Sequence, residues 1–151
     1  MFKQGFRHRR TVGAVVGGVL FTALAAGHTQ ALDWGPLTAS YDGTKRSSGY
    51  GSFTIAGSTY AQNKVYTKDL AADGNTVYQT TTWQWYEAGG CGPGYSRSTP
   101  EHSRSGYQVN YLRQQLESSS EKVRGSHTVC VQLGFPVADR CSATALTTLS
   151  Y

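Results

Sequence analysis

The chain has 151 residues, with 14 Lys and Arg against 9 Asp and Glu and a formal net charge of +5. Four of the basic residues precede residue 32 and none of the acidic ones do, so the rest of the chain is close to neutral. Without a clustered basic patch there, nucleic acid is not expected as a partner. The length from residue 32 onward suits one domain with one hydrophobic core.

The first 31 residues have the pattern of a secretion signal. A basic start that includes Arg9 and Arg10 precedes an uncharged run over residues 12–27. This run is shorter than the ~20 apolar residues of a spanning helix, so we expect no stable membrane insertion. Small residues then offer cleavage sites, first at Thr29-Gln30-Ala31, with Ala23-Leu24-Ala25 and Ala25-Ala26-Gly27 as alternatives. The sequence therefore predicts a secreted protein.

Residues 32–49 do not have the pattern of a packed strand or helix. They mix Gly, Pro, Ser and charged residues with isolated apolar ones. We interpret them as an N-terminal arm, either disordered or docked by adding a strand to the sheet edge of a partner. Trp34 and Tyr41 are its candidate contact residues.

Residues 50–151 read as a single β-rich domain. The segment TVYQTTTWQWYE, residues 76–87, alternates Thr, Val and aromatic residues as strands do. It places Trp83 and Trp85 toward the core and leaves Tyr78 and Tyr86 on the opposite face as candidate contacts. Further short strands with turn residues between them predict an all-β fold, a small antiparallel sandwich of immunoglobulin-like or similar type, with a barrel as the alternative.

Three connections in this domain carry their own predictions. Asp73-Gly74 indicates a hairpin turn, because both residues tolerate positive φ. Residues 88–106, rich in Gly, Pro and Ser, predict a long loop. Residues 114–123 are ambiguous and are compatible with a short helix, although three consecutive serines weaken it.

The cysteines predict a structural disulfide. A secreted chain meets an oxidising compartment, and neither a C-x-x-C motif nor zinc-ligand spacing is present. We therefore expect a Cys130–Cys141 bridge, while pairing of Cys91 with either of the other two stays open. In the first case Cys91 is left as a free thiol or as an intermolecular bridge.

The sequence predicts no catalytic, cofactor or metal site. It has no G-x-S-x-G motif, and His102 and His127 are not part of a recognisable triad. The glutamates sit at strand ends or in polar segments, where solvated surface is the ordinary interpretation. The chemistry therefore favours binding over catalysis.

The chain resembles a broad group of small secreted actinobacterial proteins. The resemblance rests on VRGSHTVC (residues 123–130), DRCS (residues 139–142) and a VY…DG…VY pattern at residues 65–78, and it covers Tyr60 to Ser142. It points to the adaptor subunit of secreted umbrella toxin particles, which links a lectin-like subunit to a stalk protein. What the resemblance implies is a binding role with a secreted protein as partner.

Three functions follow, in order of preference. The first is a secreted non-catalytic adaptor or interaction subunit of an extracellular assembly. The second is a carbohydrate- or cell-wall-binding module, because exposed Trp and Tyr stack on sugar rings. A small secreted enzyme is the least supported, since no acid/base or metal set is visible in the sequence.

Overall fold

The described chain is all-β. A computed structural model describes residues 30–87 and 89–151, and within these ranges it contains nine strands and no helix. The predicted secretion signal falls mostly on residues 1–29, which lie outside the described residues. In chain order the strands are β1 (Ala31–Tyr41), β2 (Thr44–Ala56), β3 (Tyr60–Asp69), β4 (Thr76–Glu87), β5 (Gly90–Ser98), β6 (Gln108–Gln115), β7 (Lys122–Gln132), β8 (Arg140–Cys141) and β9 (Ala145–Ser150).

The strands form two antiparallel sheets that pack together, as predicted. The first sheet has the order β1-β2-β3-β6, and the second has the order β5-β4-β7, with β8 and β9 both paired to the far side of β7. Without β1, the order β2-β3-β6 against β5-β4-β7-β9 matches the A-B-E and C′-C-F-G order of immunoglobulin-like sandwiches. The fold is therefore such a sandwich with one added N-terminal strand.

The alternation of side chains in β4 builds the centre of the core. Every second residue from Val77 to Trp85 is buried, and Trp83 and Trp85 are fully enclosed. Each buried indole removes about 200 Å² of surface from water, a gross stabilisation of about 5 kcal/mol that its buried, unpaired Nε1 offsets by about 1–3 kcal/mol. The prediction that these two tryptophans face the core is confirmed. The buried core comprises Trp34, Phe53, Ala61, Val65, Trp83, Trp85, Leu112, Val123, Val129 and Leu149.

The predicted disulfide is present. Cys130 on β7 and Cys141 on β8 lie directly opposite each other and are bonded. The bridge closes a short loop, and in the chain-entropy account this contributes about 3 kcal/mol by restricting the unfolded chain. The alternative pairings with Cys91 are thereby excluded.

The predicted N-terminal arm is wrong, because residues 31–56 form the β1–β2 hairpin of the first sheet. The glycines that made this segment look unstructured permit close packing instead. A Cβ at Gly49 would lie 2.8 Å from the Val129 side chain and 2.9 Å from the Tyr66 carbonyl oxygen. Gly35 and Pro36 sit at a bulge in β1, where the register shifts.

The predicted long loop at residues 88–106 is also wrong over about half of its length; Ala88 itself lies outside the described residues. Residues 90–98 form β5 along the edge of β4. The following segment is held by main-chain hydrogen bonds, with Thr99 donating to Gln79 and His102 exchanging two bonds with Val77. Backbone pairing along β4 thus outweighs the Gly and Pro content.

Two local predictions are overturned as well. Residues 114–123 contain the end of β6, a turn and the start of β7, and no helix, because Leu112 and Val123 face the core from two different strands. Asp73 and Gly74 do turn the chain, with Gly74 at φ 82°. They join β3 of one sheet to β4 of the other, so they do not form a hairpin.

Candidate functional site

The outer face of the first sheet carries an unusual set of exposed aromatic and basic side chains. Soluble proteins seldom expose contiguous large apolar groups without a reason. Here Tyr107 is 40% exposed, Val109 47% and Tyr111 55%. We call this surface the tyrosine–lysine face, and it consists of Tyr50, Lys64, Tyr66, Lys68, Tyr107, Val109 and Tyr111.

Strand register brings these residues together. The strands alternate, and Val65 and Thr67 of β3 point into the core, so Lys64, Tyr66 and Lys68 point outward. Tyr66 lies opposite Tyr50 on β2 and opposite Val109 on β6. One row across three strands is therefore wholly aromatic and apolar.

The rings of this face stand against one another. Tyr50 and Tyr66 stack with centroids 4.8 Å apart and an interplanar angle of 10°. Tyr107 meets Tyr50 edge to face at 5.1 Å. These contacts fix the ring positions before any partner arrives, which lowers the entropy cost of binding.

The two lysines lie on the aromatic rings. The Lys64 Nζ is 5.1 Å from the centre of the Tyr66 ring and 5.9 Å from that of Tyr111. The Lys68 Nζ is 4.7 Å from the centre of the Tyr107 ring. Such cation–π contacts hold the ammonium groups in place at the surface. A hydrogen bond with Tyr66 raises the pKa of Lys64 above its usual value, so this side chain is charged at neutral pH.

A groove runs beside the face, between β1 and β3. Its volume is about 480 Å³. Asp33 and Pro36 of β1 line one side, Tyr50 and Ser52 of β2 line the middle, and Lys64 of β3 lines the other side. The groove thus has a carboxylate on one wall and an ammonium on the other.

The four contact residues predicted from sequence lie elsewhere. Trp34 is only 5% exposed, and its Nε1 donates a 2.8 Å hydrogen bond to Asn63 Oδ1, so its predicted role as an open contact residue is wrong. Trp34 is also among the residues that line the groove. Tyr41 is half-buried at the end of β1.

Tyr78 and Tyr86 lie half-buried on the outer face of the other sheet. The Tyr78 hydroxyl donates a 2.7 Å hydrogen bond to Asp139. Burial, followed by this carboxylate, raises the pKa of Tyr78 to about 12. Tyr78 therefore fastens the loop that carries Asp139, and neither tyrosine belongs to the tyrosine–lysine face.

The sequence did contain a signal for this face. Lysines at positions 64 and 68 fix one side of their strand toward water, and Tyr66 between them must share that side. The run YQVNY, residues 107–111, repeats the pattern on β6. The alternation alone does not say which side faces the core, and only the lysines resolve it.

The two histidines of the described residues, His102 and His127, are held by structural contacts. His127 is fully buried and stacks on Trp34 with centroids 4.7 Å apart. Its Nδ1 and Nε2 are 3.3 Å and 2.9 Å from the hydroxyls of Thr81 and Thr147. Burial lowers the pKa of His127 to about 3, so the ring is neutral. His102 lies 2.9 Å from the Thr67 hydroxyl, and burial lowers its pKa too.

Cys91 lies half-buried on β5, opposite Tyr86. Within the described residues it is not part of a disulfide. The same residues contain no cluster of three or more His, Cys, Asp or Glu side chains placed to hold a metal ion. Nor does any helix in the described part of the chain have the length and hydropathy to cross a membrane.

Together these features define a class of protein, a disulfide-bonded β-sandwich with one aromatic and basic outer face. Comparison of the chain with family models, with curated proteins and with solved structures finds no match. The resemblance to secreted actinobacterial proteins, including umbrella toxin adaptors, therefore stays a prediction.

Proposed function

We propose that this chain is a secreted, non-catalytic binding protein that docks another extracellular protein through the tyrosine–lysine face, in the manner of an adaptor subunit. The observation that carries the proposal is the set of exposed, mutually packed tyrosines on one face of the first sheet. Tyrosine is enriched in interfaces because it offers a large apolar area and a polar tip at low entropy cost.

The charges of the face define the partner. Lys64 and Lys68 belong to it, Arg113 projects beside it from the same side of β6, and Asp33 of β1 lies on this side of the sheet too. A complementary surface is therefore acidic around an apolar centre. Two copies of this face would oppose like charges, which disfavours a dimer formed through it.

The ring arrangement favours a protein over a sugar. A sugar ring stacks on an open aromatic face, but Tyr50 and Tyr66 cover each other and Lys64 lies on Tyr66. These two rings thus offer a partner mainly their edges and hydroxyl groups. Such tips suit the hydrogen-bonding groups of a protein surface.

Export supports the extracellular setting of this proposal. The basic start and the apolar run of the first 31 residues have the pattern of a secretion signal. The Cys130–Cys141 bridge is compatible with an oxidising compartment. A secreted protein partner would meet the chain there.

The test is a pull-down with the C-terminally tagged chain from the culture medium of its own producing cells, followed by mass spectrometry and reconstitution with the purified partner. Tyr111→Ser should weaken that partner's binding about 30-fold, as expected for a central tyrosine. Tyr95→Ser is the matched control, since Tyr95 is 47% exposed on the other sheet. If Tyr111→Ser and Tyr95→Ser recover the partner equally well, the proposal is contradicted.

The groove supports a second candidate, a carbohydrate- or cell-wall-binding module. A carboxylate, a hydroxyl and an aromatic ring, from Asp33, Ser52 and Tyr50, converge there, and such groups bind sugar hydroxyls. Sedimentation with insoluble cell-wall polysaccharide tests this candidate. Asp33→Asn should abolish retention on the polysaccharide. Asp42→Asn, in the exposed β1–β2 turn, is the control and should leave retention unchanged. If the polysaccharide retains both variants or neither, this candidate is wrong.

A further inference from the structure

Edge strands expose unpaired main-chain groups, and proteins usually protect them. Three of the four edges in this sandwich are protected. β1 has a bulge at Gly35-Pro36, and β5 contains Pro93 and a register shift. The last edge is divided into the short β8 and the separate β9.

β6 is the exception. It pairs with β3 over residues 108–115 in continuous register, with no bulge, proline or glycine. It is the last strand of its sheet, and in the described residues no strand pairs with its other side. A regular, unprotected edge of this length is a ready template for another strand.

The hydrogen-bond pattern shows which groups of β6 are available. The Leu116 amide donates to the Thr59 carbonyl at 2.9 Å, so that pair is hydrogen-bonded, and bonded pairs alternate along an antiparallel ladder. Asn110, Leu112 and Gln114 therefore bond to β3. The main-chain groups of Val109, Tyr111 and Arg113 point away from the sheet.

We propose that the free edge of β6 accepts an extended segment of the partner protein as a fifth strand of the first sheet. This proposal deepens the proposed function and rests on it, because β6 also supplies Val109 and Tyr111 to the tyrosine–lysine face. A strand added there would extend that face without a break.

The side chains of β6 specify the segment. Cross-strand pairs favour opposite charges and apolar partners. An acidic residue would pair with Arg113, and β-branched or aromatic residues at every second position would lie against Tyr111 and Val109. β6 itself carries no acidic residue. The occupant is therefore an extended segment with an acid among β-branched residues.

The probe is a capped peptide of about seven residues, made of Val and Thr with one central Glu. Amide exchange of the full chain is measured by NMR with and without this peptide. In the free chain the Val109, Tyr111 and Arg113 amides exchange fast and the Asn110 and Leu112 amides exchange slowly. At about ten times its Kd the peptide should slow the three fast amides about tenfold.

A charge swap tests the chemistry. In Arg113→Glu, the glutamate peptide should no longer slow exchange of the outward amides of β6. The same peptide with lysine in place of glutamate should slow it. Protection that is the same with both peptides on the native chain overturns the acidic assignment. No protection by the glutamate peptide at millimolar concentration overturns the edge site itself.

A proline substitution tests the main chain. Val109→Pro removes an outward donor and no bond to β3, so thermal stability should change little while peptide protection at Tyr111 is lost. Val109→Ala is the matched control and should keep that protection. If Val109→Pro still binds the peptide as Val109→Ala does, strand addition is wrong.

These outcomes separate the two proposals. A captured partner that leaves the outward amides of β6 unprotected contradicts the edge site and leaves the proposed function standing. If the peptide protects the outward amides but the pull-down captures no partner, the edge site stands and the proposed function is contradicted. Protection that grows with the concentration of the chain alone would show that a second copy occupies the edge, which contradicts the proposed occupant.

Discussion

Acid should destabilise this fold through a single buried histidine. His127 lies between the two sheets with no exposed surface, against Trp34 and between the hydroxyls of Thr81 and Thr147. These contacts offer the ring hydrogen bonds but no carboxylate to balance a positive charge. Burial thus lowers the pKa of His127 to about 3, from 6.5 in the unfolded chain.

The sign and size of the effect follow from this difference. Below pH 6.5 the unfolded chain binds a proton that the folded chain refuses, so the free energy of unfolding falls as the pH falls. The loss begins near pH 6.5 and continues to about pH 3, at about 1.4 kcal/mol for each pH unit. At pH 4.5 the fold should have lost about 2.7 kcal/mol through this group alone.

Urea unfolding followed by tryptophan fluorescence measures this loss, since all three tryptophans of the chain are in the core. His127→Gln keeps a neutral, hydrogen-bonding side chain, so its free energy of unfolding should depend much less on pH between 7.5 and 4.5. His102→Gln is the control, and its free energy of unfolding should keep most of the pH dependence of the native chain. If the free energy of unfolding falls equally with pH in the native chain and in His127→Gln, the reasoning is refuted.

Three further predictions concern stability and titration. Replacing Cys130 and Cys141 together by serine should cost about 3 kcal/mol in urea unfolding, and an unchanged midpoint would contradict the loop-closure estimate. Gly51→Ala should cost about 3 kcal/mol because its Cβ meets the Trp34 ring and the Lys64 backbone, whereas Gly106→Ala, in open space, should be neutral. Absorbance titration should show one phenol ionising near pH 12 that Tyr78→Phe removes; a titration unchanged by this substitution would disagree with its buried hydrogen bond.

The sequence was informative wherever two signals agreed. In β4 the period of two coincided with Thr, Val and aromatic residues, and both the strand and the inward tryptophans were predicted correctly. The Cys130–Cys141 bridge was likewise predicted from two signals, the oxidising compartment of a secreted protein and the spacing of the cysteines. The sandwich then followed from the number of short strands.

Prediction failed where local composition conflicted with long-range pairing. Gly35 and Gly49 suggested an arm, yet they make room for the backbone of neighbouring strands. The Gly- and Pro-rich run at residues 90–98 became a strand because the edge of β4 was available to it. Neither contact is visible in a single sequence, since the partners are separated by many residues.

The candidate site was missed for a different reason. Strands that alternate aromatic and small residues can bury either side, and tyrosines were assigned to contacts on β4 instead of β3 and β6. The lysines at 64 and 68 determine the outward side, because an unpaired ammonium is costly to bury. Charge, more than aromatic content, was thus the useful guide to the exposed face.

The two outer faces of the sandwich differ in a way that supports the proposed interface on the first sheet. On the second sheet the polar side chains satisfy each other, with Thr80 bonded to Ser98 at 2.8 Å and Thr82 bonded to Ser96 at 2.7 Å. Such a face gains little from a partner, because its donors and acceptors are already matched. The first sheet instead exposes tyrosine rings and ends in an unprotected strand. Because buried apolar area and newly paired main-chain groups stabilise a complex, we propose the interface on the first sheet and expect substitutions on the second sheet to leave binding intact.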